Sequence, residues 1–427
     1  MGRIHVAGGK PLLGETAIQG AKNAALPLMA ASLLHKGTTV LHNCPDIADV
    51  SCMRMLLEDL GCQTEFRDHT MYIDASVIRK TEPDAFLTAR MRGSVLLMGS
   101  LLGRMGEVIL PFPGGCVIGN RPVNYHLDIM RKLGAEVLCQ DNRMILRSKR
   151  LRGNRVSMSF PSVGATENTI LAAVLAGGVT ECRCCAREPE IGELCRFLSG
   201  KGAQIQQEKN TVRIIGTQQL QDSEYTLMPD RIVAGTYLLA AVATKGNICL
   251  HQVPAESLGA LLELLQQAGV ILSMKEEKRY PKHTGKILWA DCRQIRPQEL
   301  WTDTAPYPGF PTDLQSQLMA AAAAIPEWQC HIRENVFEDR FVIARELRKM
   351  GAEIEICQNQ AFVRGSSGLK AAKLKARELR GGAALVLAAL AAEGVSEIEP
   401  DDYIRRGYEQ IDRDLKELGA EIRISGG

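Results

Sequence analysis

The chain repeats one pattern of helix, glycine and strand six times, which constrains its fold more than any other feature. Each copy has an amphipathic segment, such as residues 128–133, then a glycine, then residues of alternating polarity, such as 352–356. These patterns predict a helix followed by a strand with one buried face. Glycine suits the helix end because the backbone there turns left-handed. The six pairs are Gly61-Cys62, Gly134-Ala135, Gly202-Ala203, Gly269-Val270, Gly351-Ala352 and Gly419-Ala420.

A second helix, apolar on nearly every side, precedes each amphipathic one. Such a helix is typically buried, whereas the amphipathic helix covers a sheet face. One repeat is therefore a βαβαββ-type unit with an inner and an outer helix. Six units, three per domain, predict an α/β fold with strands outside and apolar helices inside. The predicted inner helices cover residues 24–34, 95–102, 170–176, 233–243, 318–324 and 383–392.

The last repeat lacks its final strand, and residues 3–7 resemble the missing piece. We therefore expect the N-terminal segment to complete the last repeat. The first domain is then an insertion, residues 21–229, and the second comprises residues 1–20 and 230–427. A cleft between two such domains is a common ligand site.

Composition excludes several classes of protein. The 51 Lys and Arg residues nearly balance the 49 Asp and Glu residues, whereas a dedicated nucleic-acid binder carries a basic excess. No apolar run approaches the ~18 residues that cross a bilayer, and the first residues lack the apolar core of a secretory signal. The 13 scattered cysteines favour a reducing compartment over a disulfide framework. We expect a cytoplasmic protein that binds neither nucleic acid nor membrane.

Neither a metal nor an organic cofactor is expected. The densest cysteine cluster, Cys182, Cys184 and Cys185, lacks the ligand spacing of a zinc site and is interpreted as a strand end. The sequence does not predict an oligomeric state, and one chain carries every candidate site residue.

Two repeats are longer than the others: successive repeat glycines are 73, 68, 67, 82 and 68 residues apart. The long intervals contain residues 111–122, with Cys116, and residues 303–313, with Asp313. Insertions of this kind usually form functional loops. The Cys116 thiol, near a cation such as Arg121, suits proton donation or nucleophilic attack; the alternative is a small buried side chain. Asp313 is either a base or a carboxylate that stabilises the first turn of a helix.

Polar residues begin the predicted inner helices, whose N-termini are expected to converge at one end of each domain and to favour an anion. Arginine binds carboxylate and phosphate in a bidentate manner; for any single arginine, the alternative is a solvated surface charge. The residues thus predict an anion-binding cleft with a thiol and a carboxylate, but no reaction. The helix-start residues are Lys22, Asn23, Arg92, Thr166, Glu167, Asp230, Arg231, Asp313 and Arg380, with Arg121, Arg340 and Arg406 as further cations.

Motifs in order along the whole chain resemble the UDP-N-acetylglucosamine 1-carboxyvinyltransferase family, enolpyruvyl transferases that open peptidoglycan synthesis. The family fold is a pair of inside-out α/β barrel domains with threefold pseudosymmetry, in agreement with the repeats. The segments are Gly20-Ala21-Lys22-Asn23-Ala24-Ala25-Leu26-Pro27, Pro113-Gly114-Gly115-Cys116, Gly119-Asn120-Arg121-Pro122-Val123, Pro161-Ser162-Val163-Gly164-Ala165-Thr166-Glu167-Asn168, Ala186-Arg187-Glu188-Pro189-Glu190-Ile191, Pro308-Gly309-Phe310-Pro311-Thr312-Asp313 and Arg406-Gly407-Tyr408.

The resemblance implies that phosphoenolpyruvate and UDP-N-acetylglucosamine are the substrates and that no cofactor is used. It makes Asp313 the base near the attacking hydroxyl and Cys116 the acid that protonates phosphoenolpyruvate. It assigns the phosphate and carboxylate of phosphoenolpyruvate to Lys22, Arg121 and Arg406, with Arg380 nearby. The residues implied to bind the UDP-sugar are Asn23, Arg92, Arg121, Pro122, Val123, Asn124, Tyr125, Ser162, Val163, Asp313 and Val336, and Arg340 is a further candidate for substrate binding.

Two alternatives remain. The shikimate-pathway enolpyruvyl transferase shares the fold, but the Lys22-Asn23 and Gly115-Cys116 segments match the UDP-sugar enzymes. A non-catalytic nucleotide-sugar sensor would retain the cleft without the reaction. The positions that depart from the family pattern are Asn124, Phe160, Glu378 and Arg405.

Overall fold

The computed structural model describes residues 2–112, 119, 122–276, 285–366 and 368–426. The strands are β1 Arg3–Ala7, β2 Leu13–Ala17, β3 Thr38–His42, β4 Gln63–Arg67, β5 Thr70–Asp74, β6 Glu107–Pro111, β7 Glu136–Gln140, β8 Arg143–Arg147, β9 Arg155–Ser157, β10 Val179–Arg183, β11 Gln204–Glu208, β12 Thr211–Ile215, β13 Ser223–Thr226, β14 Asn247–Val253, β15 Ile271–Glu276, β16 Lys286–Asp291, β17 Glu299–Asp303, β18 Gln329–Arg333, β19 Glu353–Cys357, β20 Gln360–Arg364, β21 Lys373–Lys375, β22 Val395–Glu399 and β23 Glu421–Ser425.

Helices alternate with these strands. The α-helices are α1 Lys22–Ser32, α2 Ala48–Leu60, α3 Ala85–Arg90, α4 Leu97–Met105, α5 Asn124–Lys132, α6 Val163–Ala173, α7 Pro189–Gly200, α8 Arg231–Ala243, α9 Gly259–Gln267, α10 Gln315–Ala324, α11 Ala344–Lys349, α12 Leu379–Ala391 and α13 Ile411–Glu417. Short 3₁₀ turns cover Arg92–Leu96, Ala255–Ser257, Thr312–Leu314, Arg340–Ile343 and Ile404–Arg406. Within the described ranges, no helix combines the length and apolar character needed to span a membrane.

The chain forms two compact units. Among the described residues, the first unit contains residues 20–112 and 122–228, and the second contains residues 2–19, 119, 229–276, 285–366 and 368–426. Each unit has its own hydrophobic core.

One strand order recurs in both units. In the order β17-β18-β20-β19, the first pairing is parallel and the other two are antiparallel. The orders β2-β14-β16-β15 and β21-β22-β1-β23 repeat this pattern in the second unit, and β9-β10-β12-β11 and β13-β3-β5-β4 repeat it in the first. The remaining described sheet, β6-β8-β7, has three strands. The βαβαββ repeat is confirmed, but the described strands form separate sheets, so neither unit is a closed β-barrel.

The N-terminal strand completes the last repeat, as the sequence predicts. β1 pairs antiparallel with both β22 and β23, and Ile4 lies opposite Ile398 on one side and Ile424 on the other. β1 thus occupies the place that β20 holds in the preceding repeat.

The apolar helices form the centre of each unit. In the second unit, α8, α10 and α12 contact one another. In the first unit, α4 contacts both α1 and α6. All of α8 is buried, and Ala320–Ala323 of α10 have no exposed surface. Burying one large apolar side chain stabilises the folded state by about 1.5–3 kcal/mol. Packing of these buried helices therefore stabilises the arrangement of the repeats.

The six repeat glycines end the outer-helix segments in a left-handed conformation. Their φ values range from 86° at Gly269 to 111° at Gly61. An L-residue with a side chain rarely adopts such angles. Glycine therefore occurs at these six positions because the backbone there is left-handed.

Candidate active site

Three inner helices of the second unit begin at one polar cluster. Asp230 caps α8 by accepting hydrogen bonds from the backbone N–H groups of Ile232 and Val233, at 2.8 and 3.2 Å. Asp313 lies in the 3₁₀ turn before α10, and Arg380 is the second residue of α12. Arg380 Nη2 donates to Asp313 Oδ2 at 3.0 Å. The predicted convergence of helix starts is therefore present in this unit.

Asp313 is held between two buried arginines. Arg340 Nη2 lies 2.5 Å from Asp313 Oδ1, opposite the contact from Arg380. The arginine side chains are 3% and 4% exposed, whereas that of Asp313 is 26% exposed. A buried guanidinium requires an anionic partner. Asp313 thus pairs with two cations and remains partly accessible to a ligand.

A second carboxylate supports the same arginines. Glu378 caps α12 by accepting from the backbone N–H groups of Arg380, at 2.7 Å, and Gly381. Its Oε2 also lies 3.5 Å from Arg340 Nη1. Glu378, a departure from the family pattern, thus has a defined place as a helix cap.

Thr312 and Glu334 complete the support of Arg340. Arg340 Nε donates to Thr312 Oγ1 at 3.3 Å, and the Thr312 hydroxyl donates to Glu334 Oε2 at 2.9 Å. Glu334 Oε1 accepts from the backbone N–H groups of Val336 and Phe337. Val336, a predicted binding residue, is therefore positioned by Glu334. The sequence does not single out Glu334, because the hydroxyl that its carboxylate binds, on Thr312, is 22 residues away.

Arg380 has one nitrogen without a described partner. Burial would lower the pKa of its guanidinium, but the charges of Asp313, Tyr408 and Asp230 raise the pKa above its usual value. Arg380 Nη1 is buried and has no hydrogen-bond partner among the residues that the structure describes. A fixed cation with a spare N–H suits a carboxylate or phosphate.

Arg406 lies in the 3₁₀ turn Ile404–Arg406 and is half-buried. Tyr408, two residues later, stacks under Arg380 with 6.0 Å between its ring centre and the guanidinium carbon. The neighbouring Arg405 pairs instead with Asp401 at 2.6 Å. Its charge is thus partly neutralised.

In the first unit, the N-terminus of α1 carries a buried ion pair. Lys22, the first residue of α1, lies 3.3 Å from Asp49 Oδ2, and both side chains are largely buried. Asn23 is half-buried beside it. The sequence analysis did not select Asp49, because an acidic residue in the first turn of a helix such as α2 is ordinary.

The N-terminus of α6 is also polar and buried. Ser162 caps it, and the Thr166 hydroxyl donates to Ser162 O and accepts from Ala186 N, at 2.8 and 3.0 Å. Burial, together with the charges of Glu190 and Glu188, raises the pKa of Glu167 well above its usual value. Val163 is the first residue of this helix and is half-buried.

The other predicted binding residues stand at element starts. Arg92 begins a 3₁₀ turn and is half-buried. Pro122 and Asn124 are exposed, Val123 is buried, and the Tyr125 hydroxyl is 2.7 Å from Ser159 Oγ. The departure at Phe160 leaves that ring 37% exposed.

Cys116 and Arg121 lie outside the described residues, so the structure does not test their predicted roles. Among the residues that the structure describes, no cysteine is joined to another by a disulfide bond. The Cys182 cluster is a strand end, with Cys182 and Cys185 buried and the Cys185 thiol donating to the Cys182 carbonyl at 3.2 Å. The strand-end interpretation is thus confirmed.

Comparison with known proteins adds to this geometry. A family model described as EPSP synthase (3-phosphoshikimate 1-carboxyvinyltransferase) matches residues 6–415. UDP-N-acetylglucosamine 1-carboxyvinyltransferase 2 of Caldanaerobacter subterraneus subsp. tengcongensis is 42% identical over 424 residues, which cover 99% of each chain. The UDP-N-acetylglucosamine 1-carboxyvinyltransferase of Desulforapulum autotrophicum is 40% identical over 425 residues, again 99% of each chain.

Solved structures share the fold. The enolpyruvyl transferase NikO from Streptomyces tendae has a TM-score of 0.88 at 24% identity and covers 100% of this chain and 99% of its own. An EPSP synthase from Acinetobacter baumannii has a TM-score of 0.76 at 17% identity and covers 100% of each chain. At these identities the likeness concerns the fold alone.

Proposed function

The chain belongs to the UDP-N-acetylglucosamine 1-carboxyvinyltransferases, within the EPSP synthase family, and we propose that it transfers the enolpyruvyl group of phosphoenolpyruvate to the 3′-hydroxyl of UDP-N-acetylglucosamine. The products are the enolpyruvyl UDP-sugar and phosphate, in the first committed step of peptidoglycan synthesis. The observation that carries the proposal is Asp313, which pairs with both Arg340 and Arg380 and is still partly exposed.

The proposed reaction is an addition followed by an elimination. The 3′-hydroxyl oxygen bonds to C2 of phosphoenolpyruvate while Asp313 accepts the hydroxyl proton. Cys116 protonates the methylene carbon, and the double bond is consumed. In the second step the C2–O bond to phosphate breaks, the Cys116 thiolate takes a proton back from the new methyl group, and the double bond is restored. The proton that Asp313 accepted leaves with the phosphate.

Four cations are proposed to hold the anionic groups. Lys22, Arg121 and Arg406 bind the phosphate and carboxylate of phosphoenolpyruvate, and Arg380 contributes its spare Nη1. Fixed positive charge stabilises the negative charge that develops in the transition state more than the same charge would in water. We propose that the two compact units are the domains predicted at residues 21–229 and at 1–20 with 230–427.

The proposed sugar-binding set is Asn23, Arg92, Arg121, Pro122, Val123, Asn124, Tyr125, Ser162, Val163, Asp313, Val336 and Arg340. The UDP-sugar is favoured over shikimate 3-phosphate because the full-length relatives at 42% and 40% identity carry the UDP-sugar name, whereas the solved EPSP synthases are 17% and 16% identical.

Phosphate release from phosphoenolpyruvate tests the proposal. Wild-type protein should release phosphate when UDP-N-acetylglucosamine is added and not when shikimate 3-phosphate is added. Asp313→Asn and Cys116→Ala should lose most of this release, and Cys116→Asp should retain part, since a carboxylic acid also donates a proton. Binding of the UDP-sugar without release would favour the sensor, and release with shikimate 3-phosphate would favour the shikimate-pathway reaction.

A further inference from the structure

A second cluster of reactive side chains lies on the sheet β2-β14-β16-β15 of the second unit. Glu15 of β2 is directly opposite Cys249 of β14 in the parallel pairing, and His251 lies two residues further along β14. Ile248 and Leu250, between and beside them, are buried in the core. Because side chains alternate along a strand, Cys249 and His251 share the other face of the sheet.

The three ligand atoms are close together. His251 Nε2 lies 3.2 Å from Glu15 Oε2 and 3.9 Å from Cys249 Sγ, and all three atoms are within 4.8 Å of one another. In tetrahedral zinc sites, bonds of about 2.0–2.3 Å place nitrogen, oxygen and sulfur ligands roughly 3.3–3.6 Å apart. Shifts of a few tenths of an ångström would therefore bring these atoms to metal-binding geometry.

We propose that Glu15, Cys249 and His251 form a site for one Zn²⁺ ion. A thiolate and an imidazole favour zinc over Mg²⁺ or Ca²⁺, which prefer oxygen ligands. Three protein ligands leave a fourth position for water or a small ligand. The site is independent of the proposed transferase reaction and uses none of its residues.

A metal ion bound at this cluster would link two neighbouring strands of the sheet. β2 is the edge strand of its sheet, and Ile18, directly after it, donates its backbone N–H to His251 O at 3.0 Å. A metal bound by Glu15 and by both β14 ligands links this edge strand to its neighbour. Since the ion binds the folded chain, it should raise the midpoint of thermal unfolding.

Cobalt(II) is a suitable probe because its thiolate complexes absorb in the near ultraviolet. The full-length protein, treated with chelator and kept reduced, should bind Co²⁺ with a thiolate charge-transfer band, and Zn²⁺ should displace it. Trp289 lies opposite Cys249 across β14 and β16, so bound Co²⁺ should also quench its fluorescence. The Cys249→Ser variant should lose that band and quenching, and His251→Gln should weaken binding at least tenfold.

Glu15→Gln separates loss of metal binding from loss of folding, since the Glu15 side chain is 71% exposed and its replacement should not disturb the fold. It should keep the wild-type unfolding midpoint without metal and lose most of the rise produced by Zn²⁺. Cys139→Ser and Cys357→Ser, at exposed thiols, should bind Co²⁺ as the wild type does. Equal Co²⁺ affinity and absorbance in wild type, Cys249→Ser and His251→Gln would overturn the proposal and leave an ordinary His251–Glu15 ion pair.

Discussion

Asp313 Oδ2 lies 3.0 Å from Arg380 Nη2, although the two residues are 67 positions apart in the chain. The contact joins the starts of α10 and α12, two inner helices of successive repeats. Stacking the repeats therefore places a carboxylate and a buried cation at one end of the helix bundle. In the sequence, Asp313 or Arg380 taken alone is equally compatible with a ligand-binding cluster and with an ordinary helix N-terminus.

Replacing Asp313 by Asn tests both roles of this carboxylate. The amide keeps the shape but loses the charge that compensates Arg340 and Arg380, so we expect the free energy of unfolding to fall by about 1–3 kcal/mol. If Asp313 is the proposed base, its loss should lower kcat about a hundredfold or more. Urea unfolding and phosphate release measure the two effects.

Asp303→Asn is the matched control. Asp303 lies ten residues earlier, is 59% exposed and pairs with Arg333 at 3.6 Å. An exposed pair of this kind contributes about 0–1 kcal/mol, so stability and rate should stay near wild type. Equal losses in Asp303→Asn and Asp313→Asn would contradict the specific role of Asp313.

Glu378→Ala should destabilise the protein through the N-terminus of α12. The change removes the cap of the Arg380 and Gly381 N–H groups, which costs about 0.5–2 kcal/mol, and one acidic neighbour of Arg340. Glu378→Gln keeps an oxygen acceptor and should lose less. Chemical denaturation of both variants checks the order, and Glu378→Gln as unstable as Glu378→Ala would show that charge, rather than capping, dominates.

Much of the fold could be predicted because the repeat leaves local signals in the sequence. Gly351 and Gly419 mark helix ends, and the polarity pattern of residues 3–7 predicts a strand. The sequence could not show that the strands form separate sheets, because pairing between repeats depends on contacts distant in the chain. Nor does the pattern reveal that β6-β8-β7 has only three described strands.

The site was less predictable because its contacts are not local. Asp313 stands in a motif, but Glu334 and Asp49 carry no motif and gain a role only from their partners, Thr312 and Lys22. The Glu15–Cys249 juxtaposition likewise depends on strand register. Side-chain chemistry can be read from a sequence, whereas partners come from the packing of the repeats.

Lys201 should make stability depend on pH. Its side chain is buried in the first unit and donates to Thr39 Oγ1 and Ser223 Oγ, both at 3.0 Å. Burial lowers the pKa of this amine to about 8, although the charge of Asp222 acts in the opposite direction. The unfolded chain has a lysine pKa near ~10.4, so between about pH 8 and 10.4 the unfolded state holds more protons and stability rises with pH.

Comparison with Lys201→Met isolates this contribution. The free energy of unfolding of wild type minus that of the variant should increase from pH 8 to pH 10 by at most roughly 1.4 kcal/mol per pH unit. Below pH 8 the difference should be flat, since lysine is protonated in both states. A difference that falls with rising pH would contradict the depressed pKa.

Gly200 and Gly202 together test whether the left-handed backbone is the reason that glycine occupies the repeat positions. Gly202 ends the α7 segment with φ near 99°, and a Cβ there would meet no atom within 4 Å. Gly202→Ala should therefore cost about 1–2 kcal/mol from backbone conformation alone, without a clash. Gly200, the last residue of α7, is equally open but has no positive φ, so Gly200→Ala should be neutral or stabilising by up to about 1 kcal/mol. Urea unfolding of the two variants decides the point, because equal effects would mean that the left-handed turn does not select glycine at this position.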